Sequence, residues 1–298
     1  MGKIVGGFLV PHDPVMFVAP EAPAEDIRKR MWGAYDACAE RLAGLNATSA
    51  VIIGADHYFN FGTGCLPQYL IGTGDVDGPL DVLPGLKRQI IPASEKLAGF
   101  IAEHGYANGF DWAVARAFTV DHAVAIPDRL IIDPVRARGQ SIGTIPVYIA
   151  AGVDPFIKMK RAIELGGAIK AAVEAMPDDE RVVVIGSGGI SHWVGTPEMG
   201  KVNEAFDREI MDYACTGNLA GIGGLSDEYI LENGGNGGME IRQWAVAMGA
   251  MPGARGEIID YAPVREWVTG LGFVQLLFEC RQLAVLQLGH LVEVALAL

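Results

Sequence analysis

Basic residues are scarce in this chain. It has 23 Lys and Arg against 36 Asp and Glu, a formal net charge of −13 over 298 residues. Phosphate backbones are gripped by clustered Lys and Arg, so no nucleic-acid partner is expected. Cysteine is scarce too: Cys38, Cys65, Cys215 and Cys280 are widely spaced and form no CxxC pair. They predict reduced thiols rather than a disulfide framework. No apolar run reaches the roughly 18 residues of a membrane span. The opening MGKIVGGFLVPHDP has too short an apolar run, and no small-residue cleavage site, for a signal peptide. These absences predict a cytoplasmic protein with no membrane partner. Long-period repeats and low-complexity linkers are also missing.

What is present suits a packed interior. Hydrophobic residues make up 50% of the chain and charged residues 20%, enough apolar content for a sizeable core. Apolar runs at residues 3–10, 49–54 (SAVIIG), 144–150 (TIPVYIA) and 182–185 (VVVI) read as buried strands. Between them, helical spacing predicts helices over residues 21–45, 92–107, 157–176, 197–214 and 239–248. Residues 62–87, rich in Gly, Pro and Asp, read as a long irregular excursion with one short strand near 69–71. Residues 261–273 (YAPVREWVTGLGF) predict a lid or an edge. The pattern is α/β: a single domain with a central, mostly parallel or mixed sheet flanked by helices, and an active site at the strand carboxyl ends.

The chemistry gathers at those ends. RVVVIGSGGISH, residues 181–192, runs from a buried strand through Gly186, Gly188 and Gly189 to His192. The first strand stops at Pro11-His12-Asp13-Pro14, whose prolines keep the loop out of helix. The second runs into Ala55-Asp56-His57-Tyr58, and Asp121-His122 follows a third apolar stretch. Four of the six histidines therefore sit where ligands bind in open α/β sheets. His104 and His290 read as surface or structural residues. Residues 231–238, LENGGNGG, lack the Lys-Ser/Thr and preceding strand of a phosphate loop, but they lead into a helix carrying Glu240 in its first turn. GSGGIS fails the dinucleotide fingerprint, so no organic cofactor is expected.

Two histidines and one carboxylate with open positions form the set used by non-haem Fe(II) oxygenases. Two further histidines would then be free as acid and base. A zinc hydrolase built on the same residues is an alternative. A non-enzymatic binding module is another, although such a protein should have lost some of these side chains.

Five separated motifs in order carry a resemblance: PHDP, ADHYFNF, TVDHAVAIP, GSGGISH with VNEAFDREIM, and GMEIRQW with YAPVREWVTGLG. Over roughly residues 8–273 the chain resembles the class III extradiol ring-cleaving dioxygenases, a family that includes the protocatechuate 4,5-dioxygenase β subunit and 2,3-dihydroxyphenylpropionate 1,2-dioxygenase. The resemblance implies Fe(II) held by His12, His57 and Glu240, with His122 and His192 as acid and base. It also implies O2 and a catechol-type, carboxylated aromatic diol as substrates, opened next to the hydroxyls to a semialdehyde acid. Arg129, Arg242 and Arg265 are candidate partners for the carboxylate, and Tyr58, Asp56 and Asp121 are candidate supports. A homo-oligomer, with or without a small accessory subunit, is expected. This chain has Ala123 where the family commonly has Gly, and Pro11 and Asp13 flank His12 where Ser is usual. Residues 1–273 are taken as the catalytic domain and 274–298 as a helical tail without a counterpart in the family.

Overall fold

The computed structural model describes residues 1–278. His290, Cys280 and most of the expected helical tail lie outside the described residues. Strands β1 (Lys3–Val10), β2 (Ser49–Gly54), β6 (Gly143–Ile149) and β7 (Arg181–Ser187) run parallel and form the centre of a nine-stranded sheet. Their apolar residues do not alternate with polar ones because both faces are covered, as parallel sheets require. Successive side chains divide between two cores. Val51, Ile53, Val182 and Val184 pack on one side, with helices Met159–Ala175 and Ile241–Ala250. Ala50, Ile52, Val183 and Ile185 pack on the other, with helix Glu25–Leu45. This is the period-two alternation of a strand seen from a three-layer sandwich.

Antiparallel strands close both sides. β9 (Thr269–Leu277) pairs with β1, and β8 (Arg255–Val264) pairs with β9. Residues 261–273 are thus part of an edge hairpin, and the first residues assigned to the tail, 274–277, are strand. On the far side β3 (Tyr69–Gly78) runs antiparallel to β6 and carries β4 (Gln89–Ile91) and β5 (Ala113–Thr119). The excursion at 62–87 therefore holds a ten-residue strand. Its three glycines and two aspartates mask the pattern.

The expected helix at 197–214 is observed at Glu204–Thr216, starting where the Asn203 side chain accepts from Phe206 N. The glycine-rich 231–238 is half helix: Asp227–Gly234 is capped by Ser226, and a 3-10 turn, Gly237–Glu240, leads into Ile241–Ala250. Residues after Asp121 are helical as well (His122–Pro127), with the Asp121 side chain accepting from Ala123 N as cap. No helix of the described residues is long and apolar enough to cross a membrane.

Candidate metal centre and active site

Three of the four site histidines follow the carboxyl ends of central strands, His12 after β1, His57 after β2 and His192 after β7; His122 opens a short helix beside them. The rings of His12, His57 and His122 lie with centroids 4.1–5.4 Å apart. Their ligating atoms all fall within 4.8 Å of one another. Glu240 enters from the helix side. Its Oε1 is 3.2 Å from His12 Nε2 and 2.9 Å from His57 Nε2, while Oε2 accepts from Gly189 N at 3.0 Å and lies 3.7 Å from His192 Nε2. The five residues singled out from the sequence are thus brought into one place.

Hydrogen bonds fix which nitrogen faces inward. Ser187 Oγ donates to Ala123 O at 2.6 Å, so toward His12 Nδ1, 3.0 Å away, it can only accept. His12 therefore carries its proton on Nδ1 and turns the Nε2 lone pair to Glu240. His57 Nδ1 donates to Asp121 Oδ2 at 2.9 Å, and the His57 backbone N donates to the same oxygen. Two imidazole Nε2 atoms and a carboxylate oxygen then converge at about hydrogen-bond distance, and a cation that displaces the His57 Nε2 proton would be held by all three. Partnered Nδ1 atoms and inward Nε2 atoms are the usual support of a metal-bound histidine. The donor set, two neutral nitrogens and a carboxylate, fits a divalent first-row metal.

Electrostatics agree. Burial alone would raise the Glu240 carboxyl, yet His12, His57 and His192 hold it well below the usual carboxylate range. Burial works against a charged His57, but Asp121 and Glu240 outweigh it and lift the imidazole well above its ordinary value. The same two carboxylates favour any positive charge placed there. His122 and His192 are pushed the other way, first by burial and then by neighbouring imidazoles, so both are neutral bases in this field.

Those two rings are also held. His122 Nδ1 donates to Asp81 Oδ2 at 2.7 Å, and His192 Nδ1 contacts Ile190 O at 3.3 Å. A Cβ at Gly237 would stand 2.1 Å from His192 Nε2, so only glycine lets the 237 backbone pass that ring. A Cβ at Gly188 would meet the Glu240 Cβ at 2.8 Å. The glycines of both loops are therefore matched to the side chains beside them. Asp121 supports His57 and not its neighbour His122, and Asp56 caps the following turn through Asn60 N and Phe61 N. Tyr58 is largely exposed, its hydroxyl reaching Gly152 O. Ser187 and Asp81 were not singled out from the sequence. Their partners lie 175 and 41 residues away, and no local signal marks them.

A cavity of about 210 Å³ opens beside this cluster. It is lined by the four histidines and Glu240, by Asp13 and Thr269, and by Pro14, Val15, Gly189, Val194, Met199 and Val268. Asp13 Oδ1 accepts from Val15 N, and burial pushes its carboxyl up to about 7. None of the three candidate arginines is among the lining residues. Arg129 is paired with Asp133, Arg265 is exposed, and buried Arg242 is tied to Ile157 O, Met239 O and Asp227.

Residues 6–272 match the family described as the catalytic LigB subunit of aromatic ring-opening dioxygenase. Among curated proteins, the chain is similar to 2,3-dihydroxyphenylpropionate/2,3-dihydroxicinnamic acid 1,2-dioxygenases. That of Photorhabdus laumondii is 26% identical across 88% of this chain and 94% of its own length. That of Burkholderia vietnamiensis is 27% identical across 79% and 86%. Among solved structures, an uncharacterised Escherichia coli K12 protein shares the fold, with a TM-score of 0.51 at 12% identity over 91% of this chain and 99% of that one. With the strand-end histidine cluster on one side and a family match spanning almost every described element on the other, the chain belongs to the class III extradiol ring-cleaving dioxygenases.

Proposed function

We propose that this protein opens a catechol-type ring next to its hydroxyls with O2, using Fe(II) held by His12, His57 and Glu240. The observation that carries the reading is the single Glu240 oxygen faced by the Nε2 atoms of both histidines. His12, His57 and His122 make a second conceivable set. Glu240 is the better third ligand, because an anionic oxygen neutralises part of a dication's charge. His122 stacks alongside His57 with centroids 4.1 Å apart and is held by Asp81 for another task.

Ferrous iron bound there would supply the redox chemistry that lets a paired-electron diol react with O2. The chain's own residues supply the proton handling. His192, neutral and with Nδ1 turned to a backbone carbonyl, offers Nε2 to accept a proton from a diol hydroxyl. His122 is backed by a carboxylate, which steadies the imidazolium once it forms, so it can hold a second proton and give it to the oxygen freed when the O–O bond breaks, both oxygen atoms staying in the product. The cavity is smaller than the roughly 300–1,000 Å³ of drug-sized sites and suits a single ring. A carboxylate on that ring, expected from the resemblance, finds no Lys or Arg among the described lining residues.

The test is anaerobic reconstitution with Fe(II), followed by O2 uptake and product absorbance over a panel of catechols. Stoichiometric O2 consumption with a yellow ring-opened product is expected, and hydrolysis without O2 would replace the reading with the zinc alternative. Glu240→Ala should bind iron poorly, whereas His122→Ala should retain it. Loss of iron from His122→Ala instead would make the three-histidine set the ligands.

A further inference from the structure

Three residues other than glycine have positive φ among the described residues: Asn46, Tyr58 and Val268. Asn46 caps a helix, a position that asparagine adopts readily. Val268, at φ 56° and ψ 11°, is different, because a β-branched side chain in the left-handed region is a strained outlier that Gly or Asn would relieve. Strain of this kind persists when the surroundings over-determine it, and it gathers at ligand sites. Here both flanks are pinned. Trp267 is fully buried, with Nε1 donating to Ala19 O at 2.9 Å, and Thr269 bridges to His192. The turn between them leaves the half-buried Val268 lining the site cavity together with Val194 and Met199, which are 49% and 55% exposed.

The charge of the same wall points in one direction. Apart from the imidazoles, its ionisable groups are Asp13 and Glu240, so no Lys or Arg is among the described lining residues. A carboxylate brought in on the ring would leave water without a cationic partner among the described lining residues, and an unpaired buried charge is costly. An apolar group would gain contact with three apolar side chains, two of them otherwise left in water.

We propose that Val268, with Val194 and Met199, forms a specificity subsite that seats an uncharged apolar ring substituent, an alkyl or aryl group on the diol, in preference to a carboxylated one. The proposal rests on the ring-opening reading above and names its substrate class. The strained backbone is explained as well: it is the conformation that turns a branched apolar side chain toward the ring.

The experiment uses a matched pair, 3-propylcatechol and 3-(2-carboxyethyl)catechol, which differ in terminal charge and not in chain length. Anaerobic calorimetry on the Fe(II)-loaded protein gives the two dissociation constants, and kcat/KM follows in air. The wild type should bind the propyl compound at least about tenfold tighter. Val268→Gly and Val268→Asn both accept the left-handed backbone, so thermal midpoints should hold or rise, while affinity for the propyl compound falls about fivefold and that for the carboxylated one barely moves. Tighter binding of the carboxylated compound by the wild type, binding of neither, or variants that leave the ratio unchanged would each overturn the proposal. A protein that shows the predicted affinities but consumes no O2 would keep the subsite and remove the ring-opening reading, so the two failures are told apart.

Discussion

The floor and the mouth of the site are built by different means. The floor is made of His12, His57 and Glu240, at the ends of central strands and the start of a fully buried helix. Both inward-facing imidazoles are held from behind, by Ser187 and by Asp121. The mouth is made of turns and apolar side chains: Val194, Met199 and Val268. The floor has hydrogen-bonded geometry that a metal needs to within fractions of an ångström. The mouth has shape and hydrophobicity, which can change without disturbing the floor. On the proposed reading, reaction type belongs to the first region and substrate choice to the second.

Substitutions can sharpen that contrast. The largest effect expected within the described chemistry is at His192. Because His192 is the proposed base and not a proposed ligand, its replacement by Ala should lower single-turnover rate by about 10²–10⁴-fold while iron content stays at the wild-type level. Iron loss would move His192 into the ligand set and blur the comparison. Next is Asp121→Asn, one step behind the floor. Burial by itself would raise the Asp121 carboxyl, but His57, His122 and the Tyr148 hydroxyl keep it well below the usual range as an acceptor. With an NH2 facing the two His57 donors, metal affinity should fall about 10–100-fold, measured by titration against a competing chelator.

The smallest effect on activity is expected at Asp207. This buried carboxylate accepts from Ser191 N and from the Tyr261 hydroxyl, and burial pushes its pKa up to about 6 from 3.8. A raised folded-state value means that the native state holds the proton more tightly than the unfolded chain does. Its stabilisation is therefore complete below about pH 4 and is lost as pH rises through about 6, by roughly 2–3 kcal/mol. Asp207→Asn keeps an oxygen for Ser191 N and removes the titration. Denaturant midpoints between pH 4 and 7 should flatten in the variant, with turnover little changed; an unaltered slope would assign the pH dependence elsewhere.

The floor was more legible in the sequence than the mouth. Histidines directly after apolar runs stand out because a buried parallel strand has an unmistakable composition and its carboxyl end is where ligands bind. Glu240 was legible as the first-turn acid of a glycine-hinged helix. The supports were not. Asp121-His122 suggests that an aspartate orients its neighbour, yet adjacent side chains diverge, and Asp121 serves His57 while Asp81 serves His122. β3 was caught only as a short strand near 69–71 and β5 was missed, because half-exposed strands with Gly, Asp and Arg lack a continuous apolar signature. The left-handed backbone at Val268 gave no sign at all, since valine is the residue type that local propensity would place there last.

The placement of β1 has a consequence for how the protein is made. Its sheet neighbours, β7 and β9, begin at residues 181 and 269, and His12 meets Ser187 and Glu240 across separations of 175 and 228 residues. β1 thus leaves the ribosome long before either partner, and it stays an unpaired apolar edge until they follow. No pair of the proposed ligands is close in sequence, so iron cannot nucleate the fold the way a short-range zinc site does. Metal uptake would instead report completed folding, making retained iron a readout of whether the two ends of the described chain have come together.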